Sequence, residues 1–188
     1  MAVSLRFPLI GEPLALDLVN TRVRRGGTDV DLLRSTAALA AWLRMERERV
    51  TWHGPATADD LDAVCGLRDA IDCLLRARRA GSRPPRTALA RVNHALAADD
   101  VRQRLAWNAS GPALAAPPLH TQRGALLREI ARDAVALLTG PRADRVRECA
   151  HPDCRLQFLA VNPRRRWCSS ATCGNRARVA EHYRRRHG

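Results

Sequence analysis

Four of the six cysteines in this 188-residue sequence crowd its end, at Cys149, Cys154, Cys168 and Cys173. They fall as two pairs, each with four residues between its members, and thirteen residues separate the pairs. Two close pairs a hairpin's length apart form the pattern of a tetrahedral thiolate zinc site, each pair straddling the metal from one turn. Four thiolates close the shell of one Zn2+ and leave no position for water, so such a site is structural rather than catalytic. The same thiols also suit an iron–sulfur cluster, or a set of buried or redox-active thiols. His151, His182 or His187 stands close enough in sequence to replace one of them as a ligand. Cys65 and Cys73, eight apart on an expected helix, read as core residues, because a free cysteine behaves as a small hydrophobe.

The second chemistry is cationic. All 32 basic side chains are arginine, against 19 acids, giving a net charge of +13. Arginine codons are GC-rich, so part of this excess is compositional, but a pI near 11.3 still favours a polyanionic partner. Residues 149–188 hold nine arginines and only two acids, Asp153 and Glu181, for +7. Arg178, His182 and Arg185 are spaced i, i+4, i+7 and share one face of the last helix. That face is a candidate for entering a DNA groove, where arginine reads guanine bidentately. Arg164, Arg165 and Arg166 are candidates for holding phosphates, which position a protein without specifying sequence. Arg176 is a candidate either for phosphate or for the zinc thiolates. The plain alternative for the whole run is a solvated surface.

The elements between and after the cysteine pairs must position these groups. Leu156, Phe158 and Ala160 alternate with Arg155, Gln157 and Leu159, which predicts a strand. Asn162-Pro163 is a turn signal, and Arg166-Trp167-Cys168 is expected as the return strand. Gly174 is able to take a positive φ beside the metal, and Asn175 suits a helix N-cap. Residues 176–186 contain no Gly or Pro and are expected to be helical. Leu156, Phe158, Trp167, Val179 and Tyr183 are expected to pack on the metal knuckles. The result is a treble-clef-like finger, hairpin then helix, in which zinc replaces the core that 40 residues cannot build alone.

Upstream, the sequence is mainly α, with a short β element. Ser35 caps a helix bearing Leu39, Trp42 and Leu43, and Thr57 with Asp60 forms a capping box for a helix over 58–80 that Gly81 stops. Leu61, Val64, Ile71, Leu74 and Leu75 face its core side. Leu89, Val92 and Leu96 mark another helix, and the segment from Val101 to Trp107 is a candidate strand. Residues 111–118 read as a loop, and a last long helix starts near Thr121. In the segment 3–19, Leu14 to Val19 fits a hairpin or a short helix. Gly140-Pro141 is a helix stop and sets the expected domain boundary: 1–140 multihelical, 141–188 the finger. No apolar run is long enough for a transmembrane helix, and acids and prolines interrupt the first 20 residues, so neither a membrane span nor a secretory signal is expected. A cytoplasmic location follows as the expectation, in keeping with cysteines used for metal. Asp17, Asn20 and Thr21 put polar groups on an otherwise apolar segment, either as a ligand site or as buried structural anchors. No phosphate-binding glycine loop, H-E-x-x-H or other catalytic constellation is present, so no enzyme is expected.

Cys173-Gly174-Asn175-Arg176, with Trp167-Cys168 and the upstream cysteine pair, resembles the CGNR zinc finger. Gly11 and Leu16-Asp17-Leu18-Val19-Asn20-Thr21, with Leu39-Ala40-Ala41-Trp42-Leu43 as a weaker echo, resemble the ABATE domain found with it. The resemblance spans nearly the whole chain and implies a transcription regulator, stress-responsive in some members. The expectation is a DNA-binding regulator with one structural zinc, contacting duplex DNA through the finger. Residues upstream are left to sense a small-molecule effector or to form a homodimer. A zinc module for protein or RNA interaction is the alternative.

Overall fold

A computed structural model of the chain describes residues 7–97, 105–108, 111–114 and 121–187. Its long helices begin where short polar side chains satisfy free N–H groups. Ser35 accepts from Ala38 N–H at the start of α2 (Thr36–Met45). Thr57 and Asp60 form the reciprocal capping box of α3 (Ala58–Arg79), with Asp59 and Asp60 in the first turn and three arginines in the last. That charge order suits the helix dipole. Gly81, with φ +60, turns the chain toward α4 (Arg86–Ala97). Thr121 caps α5 (Gln122–Thr139), and Gly140 ends it.

The segment after Pro13 is a helix, α1 (Leu14–Val19), with all six residues buried. A hairpin that the sequence did not announce follows, β1 (Arg22–Arg25) and β2 (Thr28–Asp31). Its turn is Gly26-Gly27, both at positive φ, the two-residue loop whose twist matches the strands. β3 (Leu105–Asn108) lies in the region expected to be a strand, although Val101 and Gln103 fall outside the described residues. Its partner β4 (Gly111–Leu114) corrects the loop expected over 111–118: Gly111 at positive φ reverses the chain into an antiparallel pair. Residues 115–118 of that loop lie outside the described residues.

α3 packs against α1, α2, α4 and α5, and β5 (Val146–Glu148) lies against it. Trp42, Leu16, Leu18, Leu67, Ile71 and Ile130 are fully buried in the centre. Val64, Leu74 and Leu75 join them, whereas Leu61 is half-buried and Leu89, at the start of α4, is 42% exposed. The apolar core does not stop at Gly140: Val146, Phe158, Leu159 and Ala160 belong to the same cluster, as do Cys149, Cys168 and Cys173.

β6 (Gln157–Leu159) forms where the alternation placed it, but its partner is β5, not residues 166–168. Cys149 N–H to Leu156 O and Ala160 N–H to Arg145 O extend that ladder at both ends. The carbonyls of Trp167 and Cys168 are instead taken by the Arg165 guanidinium, which removes them from any ladder. One bond, Ala150 N–H to Arg166 O, ties the return segment to the first knuckle.

Candidate metal centre and nucleic-acid surface

The four cysteines come from two turns and a strand end. Cys149 follows β5, Cys154 ends the turn that Cys154 N–H closes on His151 O, and Cys168 and Cys173 flank the entry to the last helix. A π-helical turn (Ser170–Gly174) runs directly into α6 (Asn175–His187). Ser169 caps it by accepting from Thr172 N–H, so Asn175 is not the N-cap but already helical, at φ −66 and ψ −46. Gly174 does not take a positive φ either. It packs closely instead, since a Cβ there would sit 3.2 Å from Cδ1 of Trp167.

All four sulfurs lie within 4.8 Å of one another, with Cys154–Cys168 at 3.8 Å and Cys168–Cys173 at 3.6 Å. A zinc–sulfur bond of about 2.3 Å gives a tetrahedron edge of about 3.8 Å, so these separations fit one zinc ion. Four sulfurs this close cannot all ionise without a dication among them. The Cys154 and Cys168 thiols and backbone N–H groups bonding Cys149 hold it down at about 2. The bond to Cys149 pushes Cys154 up to about 12, and Cys168 is pushed up as well by both neighbours. The Cys168 N–H also points at Cys149 Sγ, at 3.4 Å, a backbone donor of the kind that stabilises bound thiolate. Among the described residues the donor set is sulfur alone: Nδ1 of His151 accepts from Asp153 N–H, His182 is exposed on α6, and the side chain of His187 lies outside the described residues. These four cysteines form a structural zinc-binding site.

The basic residues separate into two groups. Arg165 is internal: it donates to the carbonyls of Trp167, Cys168 and Leu159 and to Glu12 Oε1 (3.0 Å), and it stacks 4.4 Å over the Phe158 ring. Arg164 and Arg166 are exposed beside it and, with Trp167, Ser169 and Ser170, line a cleft of about 500 Å³. Residues 178–186 of α6 are all exposed. Arg178 donates to Ser170 O, Arg185 pairs with Glu181, and Arg176 is exposed. Leu156 and Phe158 are buried and Trp167 is half-buried against Gly174, as expected for the knuckle core. Val179 and Tyr183 are not part of it, at 46% and 62% exposed, because α6 projects beyond the body after its first turn.

Asp17, Asn20 and Thr21 are all buried and each meets a different partner. Asp17 receives Arg49 Nη2 at 2.6 Å; burial pushes its carboxyl up to about 6 against that pairing. Thr21 donates to Leu18 O and accepts from Arg68, which is itself clamped on Asp31. Asn20 grips the finger: its amide donates to Gln157 O (2.9 Å) and accepts from Gln157 N–H (2.8 Å). Its neighbours continue a polar seam. Glu12 accepts from Leu159 N–H, Asp72 from the Gln157 amide, and Arg79 reaches Gln157 and Glu148. Arg155 pairs with Asp29, and Asp153 accepts from Gly26 and Gly27 N–H at the β-hairpin turn. Asp72 shows only its local i,i+4 pairing with Arg76, and the bonds that make the seam join residues 85 to 147 apart, so no local pattern reveals them. A buried polar residue inside an apolar run, as at Asp17 and Asn20, is the one signal available in sequence.

Among the described residues, no helix is long and apolar enough to cross a membrane. The ABATE family model, described as "Putative stress-induced transcription regulator", matches residues 12–141. The CGNR zinc finger model matches residues 145–186. No curated protein matches the chain. Neither family description names an enzymatic activity.

Proposed function

The chain belongs to the ABATE family and carries a CGNR zinc finger, and from that premise we propose that it is a zinc-dependent regulator that binds duplex DNA through the finger. The observation that carries this reading is α6, a helix projecting from the zinc centre with arginines at 176, 178, 184, 185 and 186 and every residue from 178 to 186 exposed. Beyond its first turn this helix buries little in its own fold, which leaves its arginines available to a partner. The two acids of the segment are both engaged, Asp153 by the β-hairpin turn and Glu181 by Arg185. The field around α6 is therefore strongly positive and steers a polyanion toward it.

In this reading α6 lies in a groove while Arg164 and Arg166 seat a backbone phosphate in the cleft beside Ser169 and Ser170. Arg165 acts indirectly, fixing the loop that presents them. Trp167, the stacking platform a single-strand binder would use, is half-buried with the Arg166 guanidinium 5.3 Å over its ring, which favours duplex over unpaired RNA. Residues 1–140 and 141–188 then divide the work. Since Asp17, Asn20 and Thr21 are committed to internal partners, a small-molecule effector acts elsewhere in residues 1–140, and homodimerisation falls to the same part. The protein works in the cytoplasm. The test is anisotropy of labelled duplex DNA with zinc-loaded protein, chelator-treated protein and Arg164→Ala/Arg166→Ala. The reading expects binding by the first, none by the second and weakened binding by the third. Equal binding by all three would overturn it.

A further inference from the structure

We propose that the outward strip of α6, Val179 and Tyr183 flanked by Arg176 and Arg186, is the face that meets base pairs, and that it reads the 5-methyl groups of thymine in the major groove. This rests on the duplex-DNA reading above and narrows it to a face and a base.

The argument begins with the side of α6 that touches the body. Cys173 and Gly174 are buried and Ala177 is half-buried, which marks that side. At about 100° per residue, Arg186, Val179 and Tyr183 fall about 180°, 200° and 240° around the helix from Ala177. They form the face directed away from the protein. Arg178 and Arg185 fall only about 100° and 80° away, on the flanks, while His182, at about 140°, borders the outward strip. The face bearing Arg178, His182 and Arg185 is thus less well placed to enter a groove than the Val179–Tyr183 strip.

Val179 is 46% exposed and Tyr183 62% exposed, one turn apart on a helix otherwise rich in arginine. Neither gains much from burial in the fold, and a valine lowers helix propensity. Their chemistry fits a partner that is apolar at its centre and anionic at its edges. A thymine-bearing major groove has that character: it admits an α-helix, displays methyl groups on its floor and is lined by phosphates. Arg186 stands on one side of the strip to meet those phosphates, and Arg176, which also feels the Asp153 carboxylate, stands on the other. The strip carries no acid; the acid of this helix, Glu181, lies toward the body. A second copy of the chain laid on the same strip would set arginine against arginine, so charge favours DNA as the occupant.

The test uses the zinc-loaded full chain and three short duplexes: alternating A·T, the same duplex with uracil in place of thymine, and alternating G·C. The uracil duplex differs only by the missing methyl groups. The wild-type protein is expected to bind the thymine duplex more tightly than the uracil duplex, by about fourfold for each methyl buried. Val179→Ala/Tyr183→Ala is expected to bring that ratio close to one while leaving zinc content unchanged; alanine raises helix propensity, so α6 persists. Arg178→Ala/Arg185→Ala is expected to weaken both duplexes and keep the ratio. Equal wild-type affinity for the thymine and uracil duplexes, or a ratio that survives Val179→Ala/Tyr183→Ala, would overturn the inference while leaving the DNA reading intact. Binding to none of the three duplexes would overturn the DNA reading itself. A dimer that Val179→Ala/Tyr183→Ala dissociates, seen by light scattering, would make the strip a self-interface and would overturn the inference as well.

Discussion

Asn20→Ala is the sharpest test of how the finger is held. In the native protein the Asn20 amide makes two bonds to one residue of β6, 2.9 Å to Gln157 O and 2.8 Å from Gln157 N–H. Asn20 is 1% exposed and Gln157 2% exposed. Truncation leaves one backbone donor and one backbone acceptor buried without a partner, at about 1–3 kcal/mol each. The expected loss is therefore about 4 kcal/mol. For a chain of this size each kcal/mol lowers Tm by about 2–4 °C, so calorimetry on zinc-saturated protein should show a fall of about 8–16 °C. Because the apolar core runs unbroken from α1 to the cysteines, the fall should appear in one transition and be accompanied by faster zinc loss to a chelator. A fall under about 2 °C would mean that water replaces the side chain and that Asn20 does not anchor the strand. A second, separate transition at unchanged temperature would refute the claim that finger and helices fold as one unit.

Other outcomes follow from the same structure. Gly174→Ala places a Cβ 3.2 Å from the Trp167 ring, so the indole is expected to move by a few tenths of an ångström; a shift in tryptophan fluorescence reports it, and an unchanged spectrum would contradict the contact. Thr57→Ala removes the side-chain half of the α3 capping box and leaves the Thr57 N–H to Asp60 bond in place; it is expected to cost about 1 kcal/mol in urea unfolding, whereas Thr57→Ser should cost little. Asp17 titrates near 6 in the folded protein because burial disfavours its charge. The native state thus binds the extra proton as pH falls through 6, and this contribution to stability is complete below about 4 and lost above 6. Wild type should accordingly gain stability relative to Asp17→Asn between pH 7 and pH 4.5, and a constant difference across that range would contradict the assignment.

Features legible in the sequence were those whose cause is local. Ser35, Thr57 and Thr121 cap helices within three residues of themselves, and the cysteine frame is a spacing. The hairpin at Gly26-Gly27 was obscured because β1 and β2 carry one valine each among charged residues, too few apolar positions for alternation to show. β6 was recognised as a strand but paired with the wrong segment. Arg165 captures the carbonyls of the expected return strand, an interaction that depends on three-dimensional closure. Gly174 suggested a turn by its type, yet it packs closely against an aromatic ring seven residues earlier. The seam through Glu12, Asn20, Asp72 and Gln157 was the least legible. It is made of ordinary polar residues whose meaning appears only when segments more than 80 residues apart meet.

The central claim is that zinc holds a basic helix in position to bind duplex DNA, and a salt titration of duplex binding tests it most directly. About six phosphate contacts by zinc-loaded protein predict a log–log slope near −5, with binding abolished on chelation. A slope near zero, or binding that persists once the zinc is removed, would contradict it.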